Sequence, residues 1–510
     1  MTHIILETIE AFNDWRDKNK KDIDFIPTMG NIHEGHKELI KRAKTENANL
    51  TLVSIFINPL QFDNKNDFKN YPKTINNDIK NCFLSGADAI FIPSSEEIYP
   101  NTKKVDFVKA SKELSGQLCG SKRFGHFDGV CTVIKRLLEI IQPRNMFLGE
   151  KDWQQVQILK RMIIELRIKT KIKTIATQRD PDGIAYSSRN NLLSKIEKYN
   201  LKIFSQELHN LKRNFLINKK INLEHFRKTV ENINVRIEYL EHLDAFSLKK
   251  PNTNANITIF ATAIFCGKTR LIDHIFLMKR NPIIAIDGPA GAGKSTVTKL
   301  VARKLNFLYL DTGAMYRALS WFLINNNINF KNKIELKDCL KDISIIFKSE
   351  NLSEQNIFIN NHCVTNKIRS QEITSVVSSI AAISEVRKFL VNAQRKIGEN
   401  GSIVAEGRDI GSTVFPNAEI KIFLTATIDE RAKRRKNELE NNGVKNINFE
   451  ELKEQISRRD YADSNRKDSP LVKAKDAYKI ISDGYSIEEI VNQVIEIYTE
   501  KIPKELQNNF

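Results

Sequence analysis

The sequence contains little cysteine and no long apolar run. Its 510 residues include 6 cysteines, scattered along the chain without a CxxC pair or a His/Cys cluster. This spacing indicates neither a disulfide framework nor a structural zinc site, so we expect reduced thiols. No window approaches the roughly 18 apolar residues of a membrane span, and the N-terminus is acidic where a signal peptide is basic and then apolar. We therefore expect a cytoplasmic protein without a membrane partner.

Internal repeats and Pro-rich or Gly/Ser-rich linkers are also absent. Hydrophobic residues make up 41% of the chain and charged residues 28%, which is typical of a folded globular protein and excludes a disordered one. At roughly 150 residues per domain, the length predicts three to four domains.

The charge is biased toward one sign, with a formal net charge of +18. Such a balance is compatible with nucleic acid, an anionic membrane surface, anionic small substrates, or a lysine-rich surface without a partner. A nucleic-acid-binding or regulatory protein built on nucleotide folds would place basic and aromatic residues in one stripe. Here the basic residues are spread over both halves, so we expect no nucleic-acid partner.

The hydrophobic pattern predicts two α/β modules joined almost end to end. Apolar runs at residues 24–27, 50–57 and 87–92 alternate with amphipathic stretches, which is typical of a parallel sheet covered by helices. The segment from about 190 to 250 is mostly helical in pattern and ends in a strand at 257–263. A second α/β series starts with a strand at 282–286 and continues to about residue 497.

A glycine-rich loop follows the strand at 282–286. The sequence GPAGAGKST fits GxxxxGK[ST], a loop that turns backbone N–H groups and a helix N-terminus toward phosphate oxygens. Lys294 is expected to reach the β- and γ-phosphates, and the Ser295 hydroxyl to bind Mg²⁺. The residues predicted to bind ATP in this half are Gly288, Ala290, Gly291, Ala292, Gly293, Lys294, Ser295 and Thr296.

Three later segments of this half, at 311–317, 406–411 and 458–466, concentrate arginines and carboxylates. Arginine forks hold a phosphate while staying charged. With the loop, the motifs LDTGAMYRA, EGRDIG and RDxxDSxRxxSPL resemble bacterial cytidylate kinase from about residue 282 to the C-terminus. The resemblance implies a P-loop nucleoside monophosphate kinase fold, with a CMP-binding insertion at about 325–400, that phosphorylates CMP or dCMP with ATP.

The same resemblance implies the acceptor site. Arg408, Arg459 and Arg466 would contact the CMP phosphate, Asp463 the ribose, and Thr312 the base or phosphate. The full set of implied CMP-binding residues is Thr312, Arg317, Arg408, Asp409, Arg459, Asp463 and Arg466. The basic run at 433–436 resembles the family's lid. Two alternatives are open for Arg431, Arg434 and Arg435: they contact the transferring phosphoryl group, or they lie on a solvated face of the helix.

The first half contains the segment MGNIHEGH at 29–36, after a strand and before a helix. Its two histidines place neutral or cationic donors where nucleotide phosphates would lie, whereas a metal site would need a third ligand. HxGH at this place is the mark of the nucleotidyltransferase superfamily that includes class I aminoacyl-tRNA synthetases. The distal element that this superfamily requires is present at 182–190, as hydroxyls and a cation in a loop.

Three further segments, SIFINPLQF at 54–62, RFGHFDGV at 123–130 and GEKDWQQ at 149–155, complete a resemblance to pantoate–β-alanine ligase over residues 1–277. The resemblance implies a Rossmann-like domain at 1–180, a small α+β domain at 181–277 and a homodimer through this half, with the kinase domain at 278–510. An adenylate-forming ligase and a nucleoside monophosphate kinase with other substrates are the alternative.

By this resemblance His36 is the principal catalytic residue, and His33, Lys151 and Arg189 share the phosphate charge; Lys294 is the catalytic cation of the kinase. Gln61 and Gln155 would hold pantoate, with Gln61 near β-alanine. Asn58 would also belong to this acid site. For Asn58 and Gln155, a purely structural role of the side-chain amide is an open alternative. The roles of Arg123 and His126 are open as well. ATP would be lined by Met29, Gly30, Asn31, Ile32, His33, Glu34, Gly35, His36, Gly149, Glu150, Lys151, Asp152, Gln178, Tyr186, Ser187, Ser188 and Arg189.

The implied chemistry uses Mg²⁺ with ATP in both halves. Pantoate carboxylate attacks the α-phosphate of ATP and releases pyrophosphate. The amine of β-alanine then attacks the pantoyl adenylate, which releases AMP and leaves pantothenate.

Overall fold

The computed structural model describes residues 3–46, 48–63, 68–100, 105–351, 354–441, 443–444, 446–466 and 468–507. These residues form two compact units. The first contains the chain up to Lys279 and also the segment that starts at Pro503, whereas the second spans Arg280–Ile502. The division drawn from the sequence placed the whole C-terminus with the kinase half. Among the described helices, none is long and apolar enough to cross a membrane.

The first unit contains a six-stranded parallel sheet in the order β1-β4-β3-β2-β5-β6. Its strands are β1 Ile4–Leu6, β2 Ile23–Thr28, β3 Leu50–Ile55, β4 Ala89–Phe91, β5 Asn145–Gly149 and β6 Lys171–Ile175. The helices that accompany them are α1 Ile9–Lys18, α2 Glu34–Glu46, α3 Ile75–Leu84, α4 Ser95–Ile98, α5 Lys112–Ser115, α6 Leu118–Lys122, α7 His126–Ile141 and α8 Trp153–Glu165. The parallel α/β sheet predicted from the sequence is confirmed.

The strand order positions the candidate site of this unit. Chain order reverses at β2, which lies between β3 and β5, and ligands of open parallel sheets bind at such a switch point beyond the carboxyl ends of the strands. The HxGH loop follows β2, and the 149–152 turn follows β5. On one face, α2 buries Leu39 and Ile40 against Ile26 and Val53 of the sheet, which fixes where the HxGH loop ends.

The rest of the first unit is α+β. It consists of α9 Lys195–Asn218, α10 Leu223–Glu231 and an antiparallel sheet of β7 Val235–Asp244, β8 Ile257–Cys266 and β9 Thr269–Met278. The helical pattern expected for 190–250 is therefore wrong at β7. A register shift between Ile237 and Tyr239 breaks the two-residue alternation of this strand. The buried residues Val235, Tyr239, Leu240 and Leu243 consequently have helix-like spacing.

The second unit contains a five-stranded parallel sheet in the order β11-β15-β10-β16-β17. Its strands are β10 Ile283–Asp287, β11 Leu308–Asp311, β15 Ile403–Gly407, β16 Ile420–Thr425 and β17 Tyr478–Ile481. A small antiparallel sheet of β12 Ile345–Asn351, β13 Glu354–Ile359 and β14 His362–Cys363 lies within the range expected to bind the acceptor.

The helices of the second unit are α11 Lys294–Leu305, α12 Thr312–Asn325, α13 Lys333–Lys341, α14 Gln371–Ala381, α15 Ser384–Ile397, α16 Ile428–Asn441, α17 Phe449–Asn465 and α18 Ile487–Lys501. The short helix α19 Lys504–Gln507 belongs to the first unit. Because β10 is central, the glycine-rich loop that follows it lies beside the loops after β15 and β16 at one edge of the sheet.

Candidate active sites

The HxGH loop of the first unit is held by a buried carboxylate. The backbone N–H groups of Asn31 and Ile32 donate to Asp78 at 2.9 and 2.8 Å, and Asp78 is only 2% exposed. Gly30 has φ +82°, and a Cβ at this position would lie 2.9 Å from the Asp78 carboxylate. The loop therefore requires glycine here, and Asp78 holds its backbone.

The two histidines of this loop lie against each other, with ring centroids 4.0 Å apart. The backbone N–H of His33 donates to Nδ1 of His36 at 3.4 Å, and that of Gly35 donates to Nδ1 of His33 at 3.2 Å. Since both Nδ1 atoms accept, each neutral ring carries its proton on Nε2. Burial and the neighbouring His36 lower the pKa of His33 to about 2, and burial, with Lys151 adding to it against Asp152, lowers the pKa of His36 to about 4. Both side chains are thus neutral Nε2–H donors at pH 7.

A titration checks these protonation states. Because the pKa of His36 lies below its ordinary value, its ring should stay neutral from pH 8 down to about pH 5 and gain a proton only near pH 4. The measurement is the ¹³Cε1–¹H chemical shift of labelled histidines, with the His36 signal assigned from its loss in His36→Gln. The reference is a blocked histidine peptide in the same buffer, with the ordinary pKa of about 6.5. A His36 signal that titrates together with this peptide would contradict the neutral pair.

The 149–152 turn brings a cation to the histidines. Lys151 acts electrostatically on both rings, and its Nζ lies 3.8 Å from the Asp152 carboxylate. Glu150 faces the other way: it is 0% exposed, and its carboxylate accepts the Thr174 hydroxyl at 2.8 Å. Any contact of Glu150 with ATP is therefore left to its main chain.

The distal loop at 178–189 is anchored and lies beside the HxGH loop. Both guanidinium Nη atoms of Arg179 donate to the Asp273 carboxylate at 2.8 Å. The backbone N–H of Tyr186 donates to the carbonyl of Gln178 at 3.0 Å. The side-chain amide of Asn31 donates to the Ser188 carbonyl at 2.9 Å. The structure thus brings together the two segments that the sequence predicts to line ATP.

The amides expected at the acid site differ in their surroundings. Gln61 is half-buried, and its Nε2 lies 2.9 Å from the sulfur of Met29, at the start of the HxGH loop. Asn58 is 1% exposed; its Nδ2 donates to Gln61 Oε1 at 3.1 Å and to the Gly129 carbonyl at 3.1 Å, while its Oδ1 accepts the Tyr99 hydroxyl at 2.9 Å. Asn58 therefore fixes the Gln61 side chain from behind. Gln155 is half-buried in the first turn of α8.

The 123–129 segment contacts the main chain at Gln61. Nδ1 of His126 lies 2.7 Å from the Gln61 carbonyl oxygen, and Arg123 pairs with Asp63 at 3.2 Å. A Cβ on Gly129 would lie 2.2 Å from the Leu60 carbonyl, so this helix approaches the Gln61 turn as closely as backbones allow. Burial, with Arg123 adding to it, lowers the pKa of His126 to about 4, which keeps it neutral.

In the second unit, the glycine-rich loop surrounds a buried lysine. A Cβ on Gly288 would lie 1.9 Å from the Leu424 carbonyl, so only glycine fits. Lys294 is 6% exposed, and its Nζ donates to the Pro289 carbonyl at 2.7 Å across the loop. Burial, with Arg408 adding to it, lowers the pKa of Lys294 to about 7. A bound polyphosphate would favour the charged form of this lysine.

A network of oxygens lies beside this loop. The Ser295 hydroxyl donates to the Glu406 carboxylate at 2.9 Å, and the Tyr309 hydroxyl donates to the other carboxylate oxygen. The Thr312 hydroxyl donates to the Glu406 carbonyl at 2.7 Å. Burial, with Asp311 adding to it, raises the pKa of Glu406. The network ties the loops after β10, β11 and β15 together.

The arginines predicted to bind the acceptor form one cationic cluster. Arg408 donates to the Asp463 carboxylate at 2.9 Å, and Arg466 lies 3.8 Å from the same carboxylate and 3.6 Å from that of Asp409. Burial and the neighbouring Arg408 lower the pKa of Arg459. Burial and the neighbouring Arg387 likewise lower the pKa of Arg466. Cations that weaken one another's charge in this way are stabilised by an anion placed among them.

Two of the predicted residues are engaged by partners of their own. Asp409 is buried and forms an ion pair with Arg387 of α15, and Arg317 pairs with Asp311 at 3.0 Å. The Arg387 guanidinium also lies over the ring of Tyr316, 5.5 Å from its centroid. Asp409 therefore orients Arg466 on one side, while Arg387 on the other side neutralises the Asp409 carboxylate.

The basic helix α16 contains three arginines in different surroundings. Arg431 is buried, pairs with Asp460 at 2.6 Å and donates to the Ala290 carbonyl of the glycine-rich loop at 3.3 Å. Arg434 donates to the Ser482 hydroxyl at 3.0 Å. Arg435 pairs with Glu438 on the helix surface at 2.8 Å. Of these three, only Arg435 has the solvated position that one of the two open alternatives describes.

Comparisons with known proteins decide the family. The family model described as pantoate-beta-alanine ligase matches residues 3–276, and that described as cytidylate kinase matches residues 284–500. A protein of Prochlorococcus marinus subsp. pastoris named bifunctional pantoate ligase/cytidylate kinase is 59% identical over 508 residues, which cover 99% of this chain and 100% of that protein. The chain belongs to the bifunctional pantoate ligase/cytidylate kinase family. Both resemblances inferred from the sequence are thereby confirmed.

Other members of the family and solved structures of one half are also similar. A bifunctional pantoate ligase/cytidylate kinase from another strain of Prochlorococcus marinus is 49% identical over 510 residues, covering 99% of each chain. A pantoate-beta-alanine ligase from Francisella tularensis, complexed with beta-gamma ATP and beta-alanine, is 35% identical, covers 55% of this chain and 98% of that chain, and has a TM-score of 0.47. The pantothenate synthetase of Thermus thermophilus is 29% identical, with coverages of 53% and 98% and a TM-score of 0.48.

Several residues at the two sites of this ligase/kinase were not singled out from the sequence. Asp78 lies on a helix far along the chain from the loop that it holds, and Arg387 lies in the first turn of an amphipathic helix. Neither has a local motif. Glu406 stands inside the EGRDIG motif and Asp287 directly before the glycine-rich loop, and the signal that could have selected them is a carboxylate at the end of a buried strand. Asp287 accepts the N–H groups of Ile410 and Gly411, both at 2.7 Å, and burial raises its pKa to about 6.

Proposed function

We propose that this chain condenses pantoate with β-alanine at the expense of ATP, through a pantoyl adenylate, and also phosphorylates CMP or dCMP with ATP. One observation carries the proposal: relatives that bear both activities in their name are 59% identical over 99% of the chain. The two loop systems described above support it, since each unit presents cations and N–H donors around a space suited to phosphates. The proposal includes a cytoplasmic location and a homodimer through the ligase half.

In the ligase site, the chain's task is to stabilise charge that grows on ATP phosphates as the pantoate carboxylate attacks. We place the Nε2–H groups of His33 and His36 and the ammonium of Lys151 around the α- and β-phosphates, with Arg189 on the distal side. Neutral imidazoles can perform this task because the Nε2–H of each ring donates a hydrogen bond to a phosphate oxygen. The Gln61 amide, fixed by Asn58, orients the acid, and Gln155 lies on the helix that follows the Lys151 turn.

In the kinase site, the same task is divided between two groups of cations. Lys294 and the backbone N–H groups of residues 290–296 hold the ATP phosphates. Arg408, Arg459 and Arg466 hold the phosphate of CMP, and Asp463 holds its ribose. The catalysis expected from this arrangement is alignment and charge neutralisation, since phosphoryl transfer requires little covalent chemistry from the protein.

The residues at the kinase site fit Mg²⁺. No group of three or more His, Cys, Asp or Glu side chains in the described part of the chain is arranged as a metal site. Mg²⁺ bound with a nucleotide does not need one, because it keeps waters and phosphate oxygens and takes only one or two protein oxygens. The Ser295 hydroxyl, with the Glu406 carboxylate 2.9 Å away, supplies such oxygens. When bound there, the ion would neutralise phosphate charge.

Two assays on the purified chain test the function. With pantoate and β-alanine, ATP should be converted into AMP and pyrophosphate, and omission of either acid should stop pantothenate formation. Separately, CMP and dCMP should be phosphorylated faster than AMP, GMP or UMP. An ATP-dependent reaction that proceeds with a different acid or a different nucleoside monophosphate would favour the alternative substrates.

The substitution Gln61→Ala should separate acid binding from ATP binding. It removes an amide that lies beside Met29 in the ligase site and leaves the HxGH loop on its Asp78 support. The loss of one or two hydrogen bonds to the acid, at about 1 kcal/mol or more each, should raise KM for pantoate by roughly 10- to 100-fold. KM for ATP should change little, and steady-state pyrophosphate release measures both constants. Equal changes in the two constants would remove Gln61 from the acid site.

A further inference from the structure

The segment that ends the described chain packs on the ligase unit. Pro503 and Leu506 are buried, and α19 lies against β6 of the first unit. The chain leaves this unit at Lys279 and re-enters it at Pro503, after the whole kinase unit. Part of the ligase unit is therefore encoded beyond the kinase, at the far end of the sequence.

One contact of this segment is with the turn that carries Lys151. The backbone N–H groups of Lys504 and Glu505 donate to the two carboxylate oxygens of Glu150 at 2.7 and 3.1 Å. Glu150 is the residue before Lys151, and its carboxylate also accepts the Thr174 hydroxyl of β6. A buried carboxylate is costly unless its oxygens are hydrogen-bonded, and the C-terminal segment supplies two of these three donors.

A second contact reaches the other loop of the ATP site. The Glu505 carboxylate accepts the backbone N–H of Thr177 at 3.2 Å, immediately before Gln178. The same oxygen lies 3.8 Å from Nε2 of the buried His274, and the carboxylate acts electrostatically on Arg179. Arg179 and His274 belong to the anchor that holds the 178–189 loop through Asp273.

We propose that Glu505 is a positioning residue of the ligase, and that the segment from Pro503 to Gln507 holds the Lys151 turn and the Gln178 loop in their ATP-binding arrangement. The inference rests on the proposed ligase function. It assigns to the chain's C-terminal end a role in the reaction of the N-terminal half. Glu505 touches neither substrate nor reacting atoms; it acts through Thr177 and through the backbone that bonds Glu150.

The test is Glu505→Ala in the full chain, assayed by pyrophosphate release and, in parallel, by CDP formation. We expect KM for ATP in the ligase reaction to rise about five- to tenfold, because the side-chain hydrogen bond to Thr177 and the charge beside Arg179 are lost, whereas the backbone N–H groups that bond Glu150 remain. KM for pantoate and the kinase constants should be unchanged. Glu505→Gln, which keeps the oxygen that accepts the Thr177 N–H, should restore most of the ATP affinity. The exposed Glu488→Ala is the matched control, with no expected effect.

A chain that ends at Ile502 is the second variant. It should show the same selective loss in the ligase reaction, to a larger extent, with CDP formation intact. Wild-type KM for ATP in both variants would overturn the proposal, and so would an equal rise in KM for ATP and pantoate. If the first unit unfolds in both variants, the segment is a folding element and the positioning role is refuted. Absence of pantothenate formation by the wild-type chain would instead refute the proposed function itself.

Discussion

The substitution Lys294→Ala should abolish CMP phosphorylation and leave pantothenate formation unchanged. Lys294 is enclosed by the glycine-rich loop, and its Nζ lies 2.7 Å from the Pro289 carbonyl. Loss of a buried cation that we propose to contact the transferring phosphates should lower kcat/KM by roughly 10³-fold, about 4 kcal/mol of transition-state stabilisation. CDP formation measured with coupled ATP turnover checks the result.

The control for this variant is Lys304→Ala on the same helix. Lys304 is exposed and donates to Asn492 at 2.9 Å, outside the loop. It should retain wild-type kinase activity. Retention of more than about a tenth of the activity in Lys294→Ala would show that the backbone N–H groups and arginines suffice for the transfer.

The substitution His36→Ala should have the converse effect. It removes the partner of the His33 N–H and one of the two Nε2–H donors that we propose to stabilise the charge growing on the ATP phosphates. We expect pantothenate formation to fall by roughly 10²- to 10³-fold with CMP phosphorylation intact. Pyrophosphate release under saturating pantoate and β-alanine measures the loss, and the exposed His225→Ala is the control.

These two variants together test whether the active sites work separately. Each active site has its own cations and loops, and each unit has its own parallel sheet. Loss of both activities from either substitution would contradict independent sites. A ligase activity that depends on Glu505 is compatible with independence, because that residue belongs to the first unit in the structure.

The strands and the phosphate-binding loops could be predicted from the sequence because they have local signals. The strand at Ile283–Asp287 is fully buried and precedes GxxxxGKS, so apolar run and motif indicate the same element. In the same way, Ile23–Thr28 precedes HxGH. β7 was not predicted, because its bulge gives the buried residues helical spacing.

The groups that hold the sites in place were harder to predict. Asp78 supports a loop that lies 46 and 47 residues earlier, and only the fold brings the two together. Glu150 stands in a motif that resembles an ATP-binding segment, yet its carboxylate is buried, which a motif cannot reveal. Asn58 similarly looks like a ligand in sequence, whereas in the structure its amide is occupied by three neighbours and the adjacent turn.

The return of the chain to its first unit affects the order in which the two halves mature during synthesis. Domains generally fold as they leave the ribosome, with the N-terminal one first. Here the contact between Glu150 and Lys504 spans 354 residues, so it forms only after the entire kinase unit has been translated. The half that is made first is therefore the half that is completed last.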